Sequence, residues 1–437
     1  MADLTDILKA EKGIPVSDIV SRLFGRKLKD TVIYGWHIDP SVSDPSQAVT
    51  YLADAVGMTP AAMGTESFSY GSWKNAFFMP RPCMLGYNGS VAYYLDPDDY
   101  TKKLNGTPSD VSNPDFEGNA MMEWGLIWYK FVPGEAEGEG SFYVSNRRID
   151  SSYHCWCNIN ADNEITPHFY TAIYNSSIIG NRIRSLSGVT LSEPNITCTT
   201  AYEETVLCTA NNTGSTIEWY TDLFCDRQLI NALLVLIGKS LDTQSVFGKG
   251  IVYSNTSHAY TTGSLDTGGL FIGYTSEETS AVKVFGIENW WGYSFRRTAG
   301  YIKTSANRYL YKLTYGTADG SATTGYNITG EGYKDAGAVP YVYVDHSRLT
   351  WIKRMRFGEY GMVPSDVTVE SASTADTYHN YFSDMINYYS DSTTYAMLGG
   401  MYNYRNKAGA FSTGLYFPST ERSTDTFTCL SCKPAVH

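Results

Sequence analysis

The chain has 437 residues, 43% hydrophobic and 18% charged, a composition that excludes a disordered polar chain and a collagen-like or heptad-repeat fibre. Its 33 Lys and Arg against 45 Asp and Glu give a net charge of -12, with no basic run longer than a few residues, which argues against a nucleic-acid partner. The length predicts two or three structural units, and 35 tyrosines exceed what a core that must satisfy each hydroxyl holds comfortably, so many are expected at the surface.

The first thirty residues lack a charged segment followed by an apolar one, and no stretch approaches the ~20 apolar residues of a membrane span. The expectation is a protein made and folded in the cytosol, without membrane insertion. Eight cysteines at spacings unlike a disulfide scaffold predict mostly reduced thiols.

Along the chain, Leu4, Ile7, Leu8, Val16, Ile19, Val20, Leu23 and Phe24 recur at helical spacing, interrupted by Gly13 and Pro15. Residues 1–30 therefore read as a short helical arm, either a packing element or an attachment and oligomerisation segment. From residue 31 to 165 the pattern becomes short apolar or alternating runs such as Thr31 to Tyr34, Val91 to Leu95, Gly125 to Phe131 and Ser141 to Ser145, which predict strands. The acidic, glycine-rich stretch Gly134 to Gly140 predicts an exposed hairpin tip. Residues 190–218, rich in Ser, Thr and Asn, read as an exposed excursion. One long helix is predicted from Asp222 to Gly238, with Asp222 as its cap, Gly238 as its stop, and a wide apolar face formed by Leu229, Ile230, Leu233, Leu234 and Ile237 among others. Short strands, glycines and turns follow it, so the fold class is α+β and mostly β.

No nucleophile has an adjacent base in sequence, and the seven histidines stand alone. The run His154-Cys155-Trp156-Cys157 is the densest set of soft ligands, but Cys-x-Cys is a poor zinc-knuckle spacing and two ligands are missing. Cys429 and Cys432 share a Cys-x-x-Cys spacing, yet they end an alternating segment instead of opening a helix, and on a strand they would face opposite ways. No cofactor and no metal is expected.

The segment Val284-Phe-Gly-Ile-Glu-Asn-Trp-Trp-Gly-Tyr293 resembles the Phe-Gly-Ile-Glu-Asn-x-Trp-Gly core of C-type-lectin folds related to formylglycine-generating enzymes, as used in phage tail receptor-binding proteins. Further blocks resemble the phage subgroup in order, among them Gly57 to Ala61, Phe68 to Trp73, Arg81 to Leu85, Ile183 to Gly188 and Gly238 to Gln244. The C-terminal blocks Tyr395 to Gly400 and Ala408 to Phe411 resemble the frame around changeable positions in targets of diversity-generating retroelements. The resemblance departs at Phe295-Arg296-Arg297, where relatives carry Glu-Trp, and at Cys429-Leu430, where many carry Arg-Leu. Cys429 and Cys432 also lack the copper-binding spacing of the oxidases.

The resemblance implies a C-type-lectin-like domain over residues 166–437, with a variable-type region near 395–432, preceded by the β-rich region and the helical arm. It implies a structural framework of Glu288, Asn289, Trp290, Trp291, Gly292, Gly399, Gly400, Gly409 and Phe411. It places ligand-binding positions at Tyr402, Tyr404, Arg405, Asn406, Thr413, Tyr416, Phe417, Glu421, Arg422, Thr424 and Phe427, with Met401, Asn403 and Thr426 close by. Independently, the aromatic and guanidinium groups of this glycine-framed stretch match the composition of binding surfaces, and the alternative is that several tyrosines simply complete the sheet. The function implied is a non-enzymatic tail-tip adhesin of the phage virion that recognises a host bacterial surface receptor, protein or glycan. A homotrimer joined to other phage tail proteins through its N-terminal region is implied as well. A structural baseplate protein and an oxidase are the rival readings.

Overall fold

The computed structural model describes residues 31–436 except 65–66, 192–200, 215, 217, 254–259, 315–332, 342–347, 372, 374–376, 389–390 and 424. The expected N-terminal arm lies outside the described residues. The described chain is mostly β with few helices, as its short alternating runs predict.

Three larger sheets carry the architecture. The first is antiparallel, in the order Val49–Ala53, Ile33–Ile38, Gly140–Ser145, Trp128–Pro133. Its last two strands form the hairpin whose tip holds the acidic stretch, and residues 134–137 there are exposed. The second sheet has seven strands in the order Trp219–Thr221, Leu430–Cys432, Phe169–Ala172, Gly118–Trp124, Arg81–Gly86, Val91–Asp96, Asp99–Lys103. Gly118–Trp124 lies in its middle and is buried at every residue. Strands from both sides of residue 165 share this sheet, and a strand from near the C-terminal end is inserted beside them. The third sheet runs Lys334–Ala338, Arg308–Tyr311, Phe295–Lys303, Thr394–Leu398, Thr413–Gly414, Ile386–Asn387, with Thr426–Phe427 added parallel to Phe295–Lys303. A separate ribbon pairs Arg348–Gly358 with Gly361–Ser371.

Three helices are described: α1 (Ala201–Thr209), α2 (Phe224–Gly238) and α3 (Thr243–Phe247). None is long and apolar enough to cross a membrane. Helix α2 is the predicted long helix with corrected ends. Leu223, in extended conformation, takes the N-cap without a side-chain bond, so Asp222 does not cap it. Lys239, at φ +50°, takes the left-handed C-cap position expected of Gly238.

Every residue of α2 is buried, polar ones included. A helix buried on all sides must pair its polar groups, because an unpaired buried group costs ~1–3 kcal/mol. Four of its polar residues bond to other parts of the chain. Asp226 pairs with Lys433 at 3.1 Å, and the Arg227 guanidinium donates to the Trp290 carbonyl at 2.8 Å. Gln228 accepts from the Met362 amide at 2.8 Å, and Asn231 joins Trp290 to Ala410. The apolar side meets the first sheet, where the Trp36 indole donates to the Ala232 carbonyl at 2.9 Å, and the third, where Phe224 stacks on Tyr301 at 4.4 Å.

Two expectations from composition fail. The excursion at 190–218 contains α1, which is held down by a fully buried ion pair between Glu204 and Arg297 at 2.9 Å. The tyrosines are mostly inside: among the described ones only Tyr253, Tyr274 and Tyr341 are exposed. Carboxylates absorb several buried hydroxyls, with Tyr170 donating to Glu123, Tyr174 to Asp266 and Tyr311 to Glu359. Sharing acids in this way lets the core hold more phenol than backbone acceptors alone would satisfy.

Candidate functional site

The residues expected as framework converge behind one C-terminal segment. Trp290 and Trp291 are fully buried, and their indoles donate to the Asn231 side chain at 2.8 Å and the Gly248 carbonyl at 3.1 Å. Glu288 accepts the Gly263 and Leu265 amides at 3.0 and 3.2 Å, and burial pushes its carboxyl up to about 7. Asn289 contributes backbone, at φ +49° with its amide on the Val282 carbonyl. The Gly292 amide donates to the Gly399 carbonyl at 3.0 Å, which ties the tryptophan block directly to the C-terminal frame.

At Gly399, φ is +97°, and a Cβ would lie 3.0 Å from both the Arg227 guanidinium and the Trp290 carbonyl. A Cβ on Gly409 would lie 2.0 Å from the Asp384 carboxylate, which accepts the Phe411 amide at 2.7 Å. Gly400, at φ +74°, is packed against Ala408. These glycines let the backbone close onto α2 and the tryptophans where no side chain fits.

From this frame the segment 401–407 runs out as a turn ending in the short 3-10 helix Arg405–Lys407. Tyr402 is half-buried, its amide donates to the Tyr293 carbonyl at 3.0 Å, and its hydroxyl pKa is raised by burial and by the Asp425 carboxylate. Asn403 is exposed. Arg405 is half-buried, with its guanidinium 4.2 Å above the ring of Tyr253, which is 43% exposed. Phe417 is half-buried against Tyr416, and Glu421 is half-buried. Arg422 is exposed and pairs with Glu203 at the start of α1.

The remaining expected contact residues are interior. Tyr404 and Tyr416 are 6% and 8% exposed and set their rings edge-on against Phe295 at 5.1 and 6.2 Å. The expectation that both would be displayed beside Tyr402 is thus corrected: Phe295, from the third sheet, supplies an apolar floor that draws them in. Thr413 is buried with its hydroxyl on the Phe411 carbonyl at 2.8 Å. Thr426 and Phe427 are buried in the strand beside Phe295–Lys303. Asn406 is buried and bonds His379 at 3.2 Å, and His379 in turn bonds Asp242 at 2.9 Å. Thr424 lies outside the described residues.

Sequence reading missed Tyr253, His379 and Asp242. Asp242 had a local signal, since its side chain caps α3 by accepting the Ser245 amide at 3.1 Å. Tyr253 and His379 had none and become neighbours of the segment only through the fold. Asp242 and His379 also line a polar cleft of about 300 Å³ with Ser43, Asp44, Ser46 and Ser245.

The seven described cysteines are buried and free. Cys429 and Cys432 belong to one apolar cluster, and only Leu430–Cys432 is strand. Burial pushes the Cys429 thiol up to about 11 and raises that of Cys432. In the run 154–157, His154 stacks on Trp156 at 4.6 Å, while Cys157 meets Cys225 and Asp226, with all three donor atoms within 4.8 Å. The Lys433 ammonium sits 3.1 Å from that carboxylate and already supplies the neutralising cation.

No family model matches the chain, and no curated protein matches it.

Proposed function

We propose that the chain is a phage tail-tip receptor-binding protein, an adhesin that recognises a host bacterial surface ligand through a diversifiable C-type-lectin-like surface at its C-terminal end. The observation that carries this reading is the division of labour within residues 399–422. Gly399, Gly400, Ala408, Gly409 and Phe411 are buried against α2 and its neighbours, whereas Tyr402, Asn403, Arg405, Phe417, Glu421 and Arg422 reach solvent. A rigid glycine-tied base that presents aromatic and guanidinium groups loses little entropy on binding. The ligand surface is therefore these six residues together with Tyr253, a smaller set than the resemblance implies. Attachment to other tail proteins through the N-terminal region, a homotrimeric state and a place in the virion belong to the same proposal. It is a binding role without catalysis, and the raised thiols of Cys429 and Cys432 support that, since a reactive cysteine needs a lowered pKa.

A structural tail or baseplate role is the second reading, favoured by the packing of Tyr404, Tyr416 and Phe427. Sequencing this gene across sibling phages separates the two. The adhesin reading expects substitutions concentrated at 402, 403, 405, 417, 421 and 422 around constant glycines. Substitutions spread evenly over the C-terminal region would overturn it.

A further inference from the structure

At the start of α2, five chemically active side chains meet in a buried cluster: Tyr129, Cys157, Cys225, Asp226 and Lys433, each no more than 2% exposed. The Cys157 thiol lies 3.4 Å from the Tyr129 hydroxyl and donates to the Cys225 carbonyl at 3.4 Å. The Cys225 thiol lies 3.4 Å from an Asp226 oxygen and 3.8 Å from the Lys433 ammonium. The two sulfurs are within 4.8 Å of one another.

We propose that Cys157 and Cys225 form an oxidisable pair, a site of covalent cross-linking that fastens the turn Trp156–Asn158 to the first turn of α2. The two thiols are not equivalent. Cys225 sits in the first turn of an α-helix with its sulfur 3.8 Å from the Lys433 ammonium. The neighbouring Asp226 carboxylate is paired with Lys433 at 3.1 Å. The Cys157 sulfur contacts the Tyr129 hydroxyl and the Cys225 carbonyl, and burial raises its thiol, so Cys225 is the attacking thiol and Cys157 the resolving one.

With hydrogen peroxide as oxidant the steps balance. The Cys225 sulfur takes one peroxide oxygen as the O–O bond breaks and becomes a sulfenic acid, while the second oxygen leaves as water with the Cys225 proton. The Cys157 sulfur then displaces the sulfenic hydroxyl, the S–S bond forms, and the hydroxyl leaves as a second water with the Cys157 proton. Two thiols are oxidised by two electrons and one peroxide is reduced to two waters. Burial makes the rate depend on local opening around the helix start and leaves the choice of partner to geometry. The bond would close a loop between residues 157 and 225 and raise the thermal midpoint.

The test treats the full-length reduced protein with hydrogen peroxide and maps it under non-reducing conditions. The expected result is an intact mass lower by about two hydrogens and a single linked peptide joining Cys157 to Cys225. In Cys157→Ala the expected result is a sulfenic acid on Cys225 captured by dimedone. Wild-type protein whose two thiols remain fully alkylatable after peroxide overturns the proposal, as does a linkage confined to other cysteines. Since the wild-type map decides alone, a variant that fails to fold does not blur the outcome.

Discussion

The Asn231 side chain on α2 donates to the carbonyl of Ala410 at 2.7 Å while its own oxygen accepts the indole of Trp290 at 2.8 Å. One amide therefore joins the helix, the tryptophan block and the C-terminal frame. Asn231→Ala leaves a buried carbonyl and a buried indole N–H without partners, each worth ~1–3 kcal/mol, so the predicted loss is about 2 to 6 kcal/mol in chemical unfolding. A loss below about 0.5 kcal/mol would mean that the frame does not depend on this bridge.

Tyr402 and Tyr404 stand two residues apart and should behave oppositely. Tyr404→Ala removes a ring packed on Phe295 and is predicted to cost ~3 to 5 kcal/mol, whereas Tyr402→Ala, at the half-buried position, should cost under ~1 kcal/mol. Thermal melts of the two variants decide it, and equal midpoints would contradict the assigned burial.

The hydrogen bond to the Asp242 carboxylate raises the His379 pKa above the ordinary 6.5. A folded-state value above the unfolded one stabilises fully below the unfolded pKa, and that stabilisation is lost as pH rises through the folded value. Wild type should therefore lose stability as pH rises from the ordinary histidine value of 6.5 through the higher folded-state value, and His379→Gln should flatten that part of the profile. An NMR titration that places His379 at or below 6.5 would remove the effect.

Light scattering should return a trimer for the full-length protein and a smaller species after deletion of residues 1–30, because an amphipathic arm needs a surface on which to bury its apolar face. A monomer in both cases would contradict the proposed role of the arm.

What the sequence revealed and what it hid have physical reasons. Helix α2 was legible because Leu229, Ile230, Leu233, Leu234 and Ile237 recur at helical spacing, and that periodicity is local. Helix α1 was not, because its Ser- and Thr-rich surroundings resemble a loop and its anchor, Arg297, lies far along the chain. The glycine frame was legible through the resemblance, and its φ values explain why glycine stands at Gly399 and Gly400. The split between displayed and buried residues in 401–427 was not legible, since a tyrosine is equally at home on a binding surface and against Phe295. Only the fold decides between them.

The most direct test of the central claim is adsorption of phage carrying Tyr402→Ala together with Arg405→Ala, measured on the propagating host beside purified protein melted in parallel. The proposal predicts that the protein melts within a few degrees of wild type while adsorption falls at least tenfold, as expected when half-buried aromatic and arginine anchors worth ~2 kcal/mol or more are removed. Normal adsorption by a folded double variant would contradict it and place recognition elsewhere.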